Sequence, residues 1–110
     1  MSDGRICFEK FELEVQNFQL RCSGRPVQLE RIPMELLFLL AGQAGRLVTR
    51  EEILAAIWGK GTSLDADNAI NTAVRKIRRA LHDNADHPRY IETIAGKGYR
   101  FVARVEQVGG

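Results

Sequence analysis

The residues best equipped for chemistry fall in one short stretch. Arg75, Lys76, Arg78 and Arg79 lie within five positions, with Thr72 and Asn68 one and two helical turns before Lys76. Guanidinium and ammonium groups hold phosphates and donate to guanine edges, and a side-chain amide pairs with adenine. Between them Ile70, Val74, Ile77 and Leu81 recur at i, i+4, i+7 and i+11, the spacing of one helix face. Asn68, Thr72, Arg75, Lys76 and Arg79 therefore share the outer face of that helix, with Asn71 and Arg78 on its flank. Beyond the first turn this face has no Glu, whereas a surface helix stabilised by i,i+4 pairs mixes signs. A second candidate is Lys97, set between Gly96 and Gly98 in a turn, where it can reach a phosphate or a minor groove. Thr93 and Tyr99 flank that turn, as ordinary strand residues or as hydroxyl donors to phosphate oxygens.

Other chemistry finds little support. Gly96-Lys97-Gly98 lacks the GxxxxGK[ST] spacing and a following helix, so it does not read as a nucleotide loop. Ser2, Ser23 and Ser63 stand neither beside a His nor in a GxSxG elbow. Cys7 and Cys22, with His82 and His87, lack zinc spacings, and no metal or cofactor is expected. The two thiols read as small core hydrophobes, neighbours by position, in a reducing cytoplasm. Asp83, Asp86 and the histidines make a polar loop, and Trp58 closes an apolar helix face as a core residue or half-buried anchor. A binding protein is expected, not an enzyme.

The whole chain must position these groups. Its 110 residues, 45% hydrophobic and 27% charged, suit one globular domain. The net charge of +2 conceals an asymmetry: residues 67–104 hold eight basic against four acidic residues, and the first 66 hold eight against nine. A clustered positive surface suits an anionic polymer. The longest apolar run, residues 36–41, is far too short for a membrane span, and Glu9, Glu12 and Glu14 interrupt any signal segment. A cytoplasmic protein without membrane contact is expected.

Residues 6–30 read as a small antiparallel sheet. Phe11, Leu13 and Val15 alternate with polar residues, as do Phe18, Leu20 and Cys22 beyond a turn at Gln16-Asn17, pairing Val15 with Phe18, Leu13 with Leu20 and Phe11 with Cys22 on one buried face. Val27 with Leu29 and Ile6 with Phe8 supply the other strands. Residues 33–83 hold three helices. Pro33 suits the first turn of one, and Thr49-Arg50-Glu51-Glu52 is a capping box opening the second. Asp65 or Asp67 caps the third, which runs to about His82. Residues 90–105 form a hairpin, 90–94 against 99–105, whose glycines allow positive φ at the tip; residues 106–110 are left as a tail or linker. Two helices, a basic helix and a hairpin follow the winged helix-turn-helix order, and a major groove about 12 Å wide admits one helix.

At this point the residues resemble a family. Glu35-Leu36-Leu37, Thr49-Arg50-Glu51-Glu52-Ile53-Leu54, Ile57-Trp58-Gly59, the run Val74 to Leu81 and the run Ile91 to Phe101 are similar to the OmpR/PhoB-type DNA-binding domain, the effector of many bacterial transcription regulators. The resemblance covers about residues 6–104. It implies an α+β winged helix-turn-helix with an N-terminal four-stranded antiparallel sheet, three helices and a C-terminal hairpin wing. It implies sequence-specific binding to double-stranded DNA, often as head-to-tail pairs, within two-component phosphorelay or one-component signalling. It also implies contact with RNA polymerase through the loop at residues 60–64, which begins at Lys60 and ends at Leu64. By position, groove-facing roles pass to Asn68, Thr72, Arg75, Lys76 and Arg79. Phosphate roles pass to Arg50, Trp58, Arg78, Thr93 and Tyr99, and the wing contact to Lys97. Asn68-Ala69, Ala73 and Ala95 depart from the common pattern, so a relative's base preference does not transfer; Ile32 before Pro33 leaves the first helix without its usual cap.

With Met1 at the start and no receiver-type aspartate setting, and with Gly109-Gly110 reading as a linker, the expectation is a DNA-binding domain from the N-terminus of a longer regulator. Two other readings use the same residues: a winged helix that docks an acidic protein, and an RNA binder. The second is disfavoured because the sheet lacks a surface stripe of aromatics for base stacking.

Overall fold

A computed structural model describes residues 4–59 and 65–108. The N-terminal alternation forms β1 (Arg5–Phe8), β2 (Phe11–Glu14), β3 (Gln19–Cys22) and β4 (Arg25–Val27), paired in sequence as antiparallel neighbours. The register sets Leu13 opposite Leu20 and Phe11 opposite Cys22, as the alternation requires. Val15 and Phe18 depart from that reading. β2 ends at Glu14, and residues 15–18 form a turn that exposes both side chains. Phe18, at a positive φ, leaves the sheet face and stacks on Phe38 instead, with centroids 5.2 Å apart.

The helices follow this sheet in the chain and precede most of a second one. Helix α1 (Arg31–Gly42) starts at Glu30, which makes no side-chain cap. Pro33 falls in its first turn, where a missing N–H costs nothing, and Leu36, Leu37 and Leu40 are fully buried. Strand β5 (Leu47–Thr49) leads into α2 (Arg50–Ile53), which widens into a π-helical turn at Leu54–Trp58. Helix α3 (Ala66–Leu81) follows, then β6 (Ile91–Ile94) and β7 (Gly98–Phe101). β7 is the centre of a three-stranded sheet in the order β5-β7-β6. Phe8 and Phe11 of the first sheet meet Tyr90 and Phe101 of this region at centroid distances of 5.0–5.6 Å, a cluster that joins the two sheets.

Three expectations are corrected. The second hairpin strand ends at Phe101 rather than Val105. Part of the expected tail, Glu106–Val108, is strand β8 and pairs with β1, so the first sheet has five strands in the order β4-β3-β2-β1-β8. Cys7 and Cys22 occupy opposite faces. Cys22 shares the inward parity of Leu20, whereas Cys7 shares the outward parity of Arg5, between Ile6 and Phe8, which point inward. Burial and the facing Glu12 carboxylate push the Cys7 thiol up.

The capping box is formed as expected. Glu52 N–H donates to Thr49 Oγ1 at 3.1 Å, and Thr49 N–H donates to Glu52 Oε1 at 2.9 Å. That backbone donor, aided by Arg46 at 2.9 Å, holds the Glu52 carboxyl below its usual range. A carboxyl depressed by folding stabilises the fold above its unfolded value and loses that contribution as pH falls through its folded value. Glu52→Gln keeps the reciprocal bonds without the charge. Its melting temperature is expected to fall less than wild type's between neutral pH and about pH 3. Parallel melting curves would remove Glu52 from the acid response.

Candidate nucleic-acid interface

Helix α3 is built to present one polar face. Asp65 caps it by accepting from Asn68 N–H, Asp67 lies in the first turn and Arg78 and Arg79 in the last, signs that suit the helix dipole. It ends at His82 in the left-handed conformation. Ile70, Ala73, Val74, Ile77 and Leu81 are buried. Asn68, Asn71, Arg75 and Arg79 are exposed, at successive offsets of three, four and four: a single line down the outer face. Neither Arg75 nor Arg79 has an ion pair among the described residues.

The remaining candidates divide between the two flanks of that line. Thr72 and Lys76 lean toward α1, lining with Trp58 and residues 30–33 a groove of about 430 Å³. Lys76 is ion-paired there with Glu30. On the other flank Arg78 Nη2 donates to the Ile91 carbonyl and to Thr93 Oγ1, both at 2.9 Å, tying α3 to β6. Its Nε is buried without a partner among the described residues, so Arg78 is partly committed to structure. Asn71, Arg75, Arg78, Thr93 and Tyr99 line a cleft of about 330 Å³ between α3 and the wing.

Arg50 and Tyr99 join these elements. The Arg50 guanidinium pairs with Asp67 of α3 at 2.9 Å and lies over the Tyr99 ring, 5.9 Å from its centroid. Its backbone N–H donates to the Lys97 carbonyl at 3.1 Å. Tyr99 is buried, and its hydroxyl donates to Asn71 Oδ1 at 2.8 Å. Lys97 stands exposed in the β6–β7 turn. Asn68, Arg75, Arg78, Arg79, Thr93, Lys97 and Tyr99 thus gather on α3 and the wing, with Arg50 of α2 against both, while Thr72, Lys76 and Trp58 lie on the α1 side. Residues 60–64 lie outside the described residues.

Sequence reasoning missed the partners. Glu30 and Asp67 engage two of the candidate cations, and Asn71, exposed on the flank beside the wing, is engaged by Tyr99. Asp83 is more than a loop residue. Its carboxylate accepts from the N–H groups of Arg89, Tyr90 and Ile91 at 2.8, 3.3 and 3.0 Å and so starts β6. Pro88 just before that run was the available signal for a fixed corner.

Known proteins share this fold. A family model described as "Transcriptional regulatory protein, C terminal" matches residues 24–101, well over half of the chain. The chain belongs to this OmpR/PhoB-type family. Among its relatives, an uncharacterized transcriptional regulatory protein of Bacillus subtilis, YcbL, is 30% identical over 86% of this chain and 42% of its own length. The dual master transcriptional regulator RpaA of Synechocystis is 30% identical over 86% and 39%. The domain therefore spans about two-fifths of the length of these curated relatives. Among solved structures, the Klebsiella pneumoniae RstA DNA-binding domain in complex with the RstA box superposes with a TM-score of 0.78 at 30% identity, covering 89% of this chain and 96% of that one. Thermotoga maritima DrrB, an OmpR/PhoB homolog, gives 0.79 at 32% identity, covering 89% and 44%. Within this OmpR/PhoB-type domain, no described helix is long and apolar enough to cross a membrane.

Proposed function

We propose that this domain is the effector of a bacterial transcription regulator and binds double-stranded DNA sequence-specifically. Helix α3 enters the major groove, and the β6–β7 hairpin meets the adjacent minor groove and backbone. The observation that carries this reading is the exposed line of Asn68, Asn71, Arg75 and Arg79, two amides and two arginines without ion pairs among the described residues, beside a wing tipped by Lys97. Arg75 and Arg79 suit guanine edges or phosphates; Arg50, Thr93 and Lys97 suit the backbone. Lys76 must give up Glu30 to reach DNA, and Trp58 and Thr72 serve from the α1 side. The domain works by binding, in the cytoplasm, without catalysis. Head-to-tail pairing on repeated sites and contact with RNA polymerase through residues 60–64 extend this reading from the family.

Selection of bound sites from a random duplex library near physiological salt tests it. A motif repeated in one orientation about one helical turn apart is the expected result. No enrichment, with binding that merely follows salt, would favour docking to an acidic protein. Arg75→Ala is expected to weaken binding to the selected site by about 1–3 kcal/mol and to random duplex much less. Arg50→Ala is expected to weaken both and to reduce the salt slope by roughly one. An unchanged slope would remove Arg50 from the backbone contacts.

A further inference from the structure

We infer that Asn71 determines specificity in this interface and that Tyr99 sets what it reads, by turning the amide so that it offers the groove donors only. The inference rests on the DNA-binding reading above. Asn71 stands between Asn68 and Arg75 on the exposed line of α3. Its Oδ1 accepts from the Tyr99 hydroxyl at 2.8 Å, and its Nδ2 has no partner among the described residues.

The direction of this bond follows from the burial of Tyr99. A phenolic O–H in a buried residue needs an acceptor, and Asn71 Oδ1 is the acceptor present. With the amide turned over, Nδ2 would donate to the phenolic oxygen and the hydroxyl proton would lose its side-chain acceptor. Tyr99 is itself held on three sides. It is on the central strand β7, opposite Val48 of β5 and Thr93 of β6, with Arg50 over its ring and Asp67 holding Arg50. The support of Asn71 therefore spans α2, α3 and the wing.

This orientation has a consequence for base reading. Asparagine pairs with adenine by donating to N7 while accepting from the N6 amino group, which requires Oδ1 and Nδ2 side by side toward the base. Tyr99 takes one lone pair of Oδ1 and draws that oxygen toward the protein, which disfavours the side-by-side arrangement. The two N–H groups that remain suit an edge made only of acceptors, which in the major groove is guanine N7 and O6. Asn71 thus favours guanine over adenine at the base pair it faces.

Site selection from one random duplex library, run in parallel on wild type, Tyr99→Phe and Asn71→Ala, tests this, with circular dichroism showing each variant folded. Wild type is expected to prefer guanine to adenine at one position. Asn71→Ala is expected to lose that preference by on the order of tenfold, at that position alone. Tyr99→Phe keeps the ring and frees the amide, and is expected to move the same position toward adenine. A position that selects adenine in wild type, or a motif identical in all three proteins, overturns the inference while leaving DNA binding in place. If Tyr99→Phe does not fold, Asn71→Ala decides. A wild type that enriches no motif overturns the DNA-binding reading itself.

Discussion

Ile77→Asp is expected to abolish the fold at room temperature. Ile77 is fully buried, one turn from the end of α3 and on the stripe that also holds Ile70, Val74 and Leu81. It belongs to the same core cluster as Leu36, Leu37 and Leu40 of α1. There is no buried polar or charged residue in that core, among the described residues, to receive a carboxylate. A carboxyl group placed there must be buried as a charge or protonated, and either route costs several kcal/mol. The side chain's apolar transfer energy and a cavity are lost as well. A domain of this size has about 5–15 kcal/mol in total, so the variant should show no cooperative thermal transition. Ile77→Val, which removes one methylene from the same place, should cost only about 0.5–1.5 kcal/mol. A folded I77D protein would mean that the buried and exposed faces of α3 are wrongly assigned, and the proposed DNA face with them.

How much of this was legible in the sequence depends on the range of the interaction involved. Helix α3 was legible from cap to stripe because its signals are local: Asp65, then apolar residues at helical offsets, then His82. The capping box was legible for the same reason, two reciprocal bonds three residues apart. Leu13 against Leu20 followed from a short turn. Val15 and Phe18 did not, because Phe38 of α1 offers Phe18 a ring to stack on, and nothing within the hairpin announces that partner. β5 and β8 were not legible either. Each is three residues long, and each exists because a distant strand supplies its hydrogen bonds, β7 for one and β1 for the other. The site shows the same division. The cations were visible from composition and spacing, but Glu30 on Lys76, Asp67 on Arg50 and Asn71 on Tyr99 join residues 46, 17 and 28 positions apart. Which cations stay unpaired is therefore a property of the fold.

Gly98→Ala is expected to damage the wing more than Gly96→Ala, the reverse of what backbone conformation alone suggests. Gly96 has a φ of +75°, which L side chains rarely adopt, but a Cβ there would meet nothing within 4 Å. Its replacement costs only the left-handed conformation, about 1–2 kcal/mol. Gly98 has no such φ. It lies in β7 directly opposite Thr49 of β5, and a Cβ would stand 2.1 Å from the Val48 carbonyl oxygen and 2.9 Å from Thr49 Cα. Both obstacles are backbone, so no side chain can turn aside. The clash is relieved only by parting β5 from β7. That movement carries the Thr49 cap of α2 with it, strains the bond from Arg50 N–H to the Lys97 carbonyl, and shifts Arg50 from Tyr99. Overpacking of this kind costs about 1–3 kcal/mol and more where the backbone must move. With about 4–8 °C per kcal/mol for a domain near this size, Gly98→Ala should melt well below Gly96→Ala. Gly98→Ala should also weaken binding to the selected DNA site, since the parted strands hold Arg50, Lys97 and, through Tyr99, Asn71. Equal melting temperatures would show that β5 can withdraw without loss. A Gly98→Ala protein that melts low yet binds its site with wild-type affinity once folded would show that the β5–β7 contact supports stability alone, and that α3 finds the groove without the wing to set it.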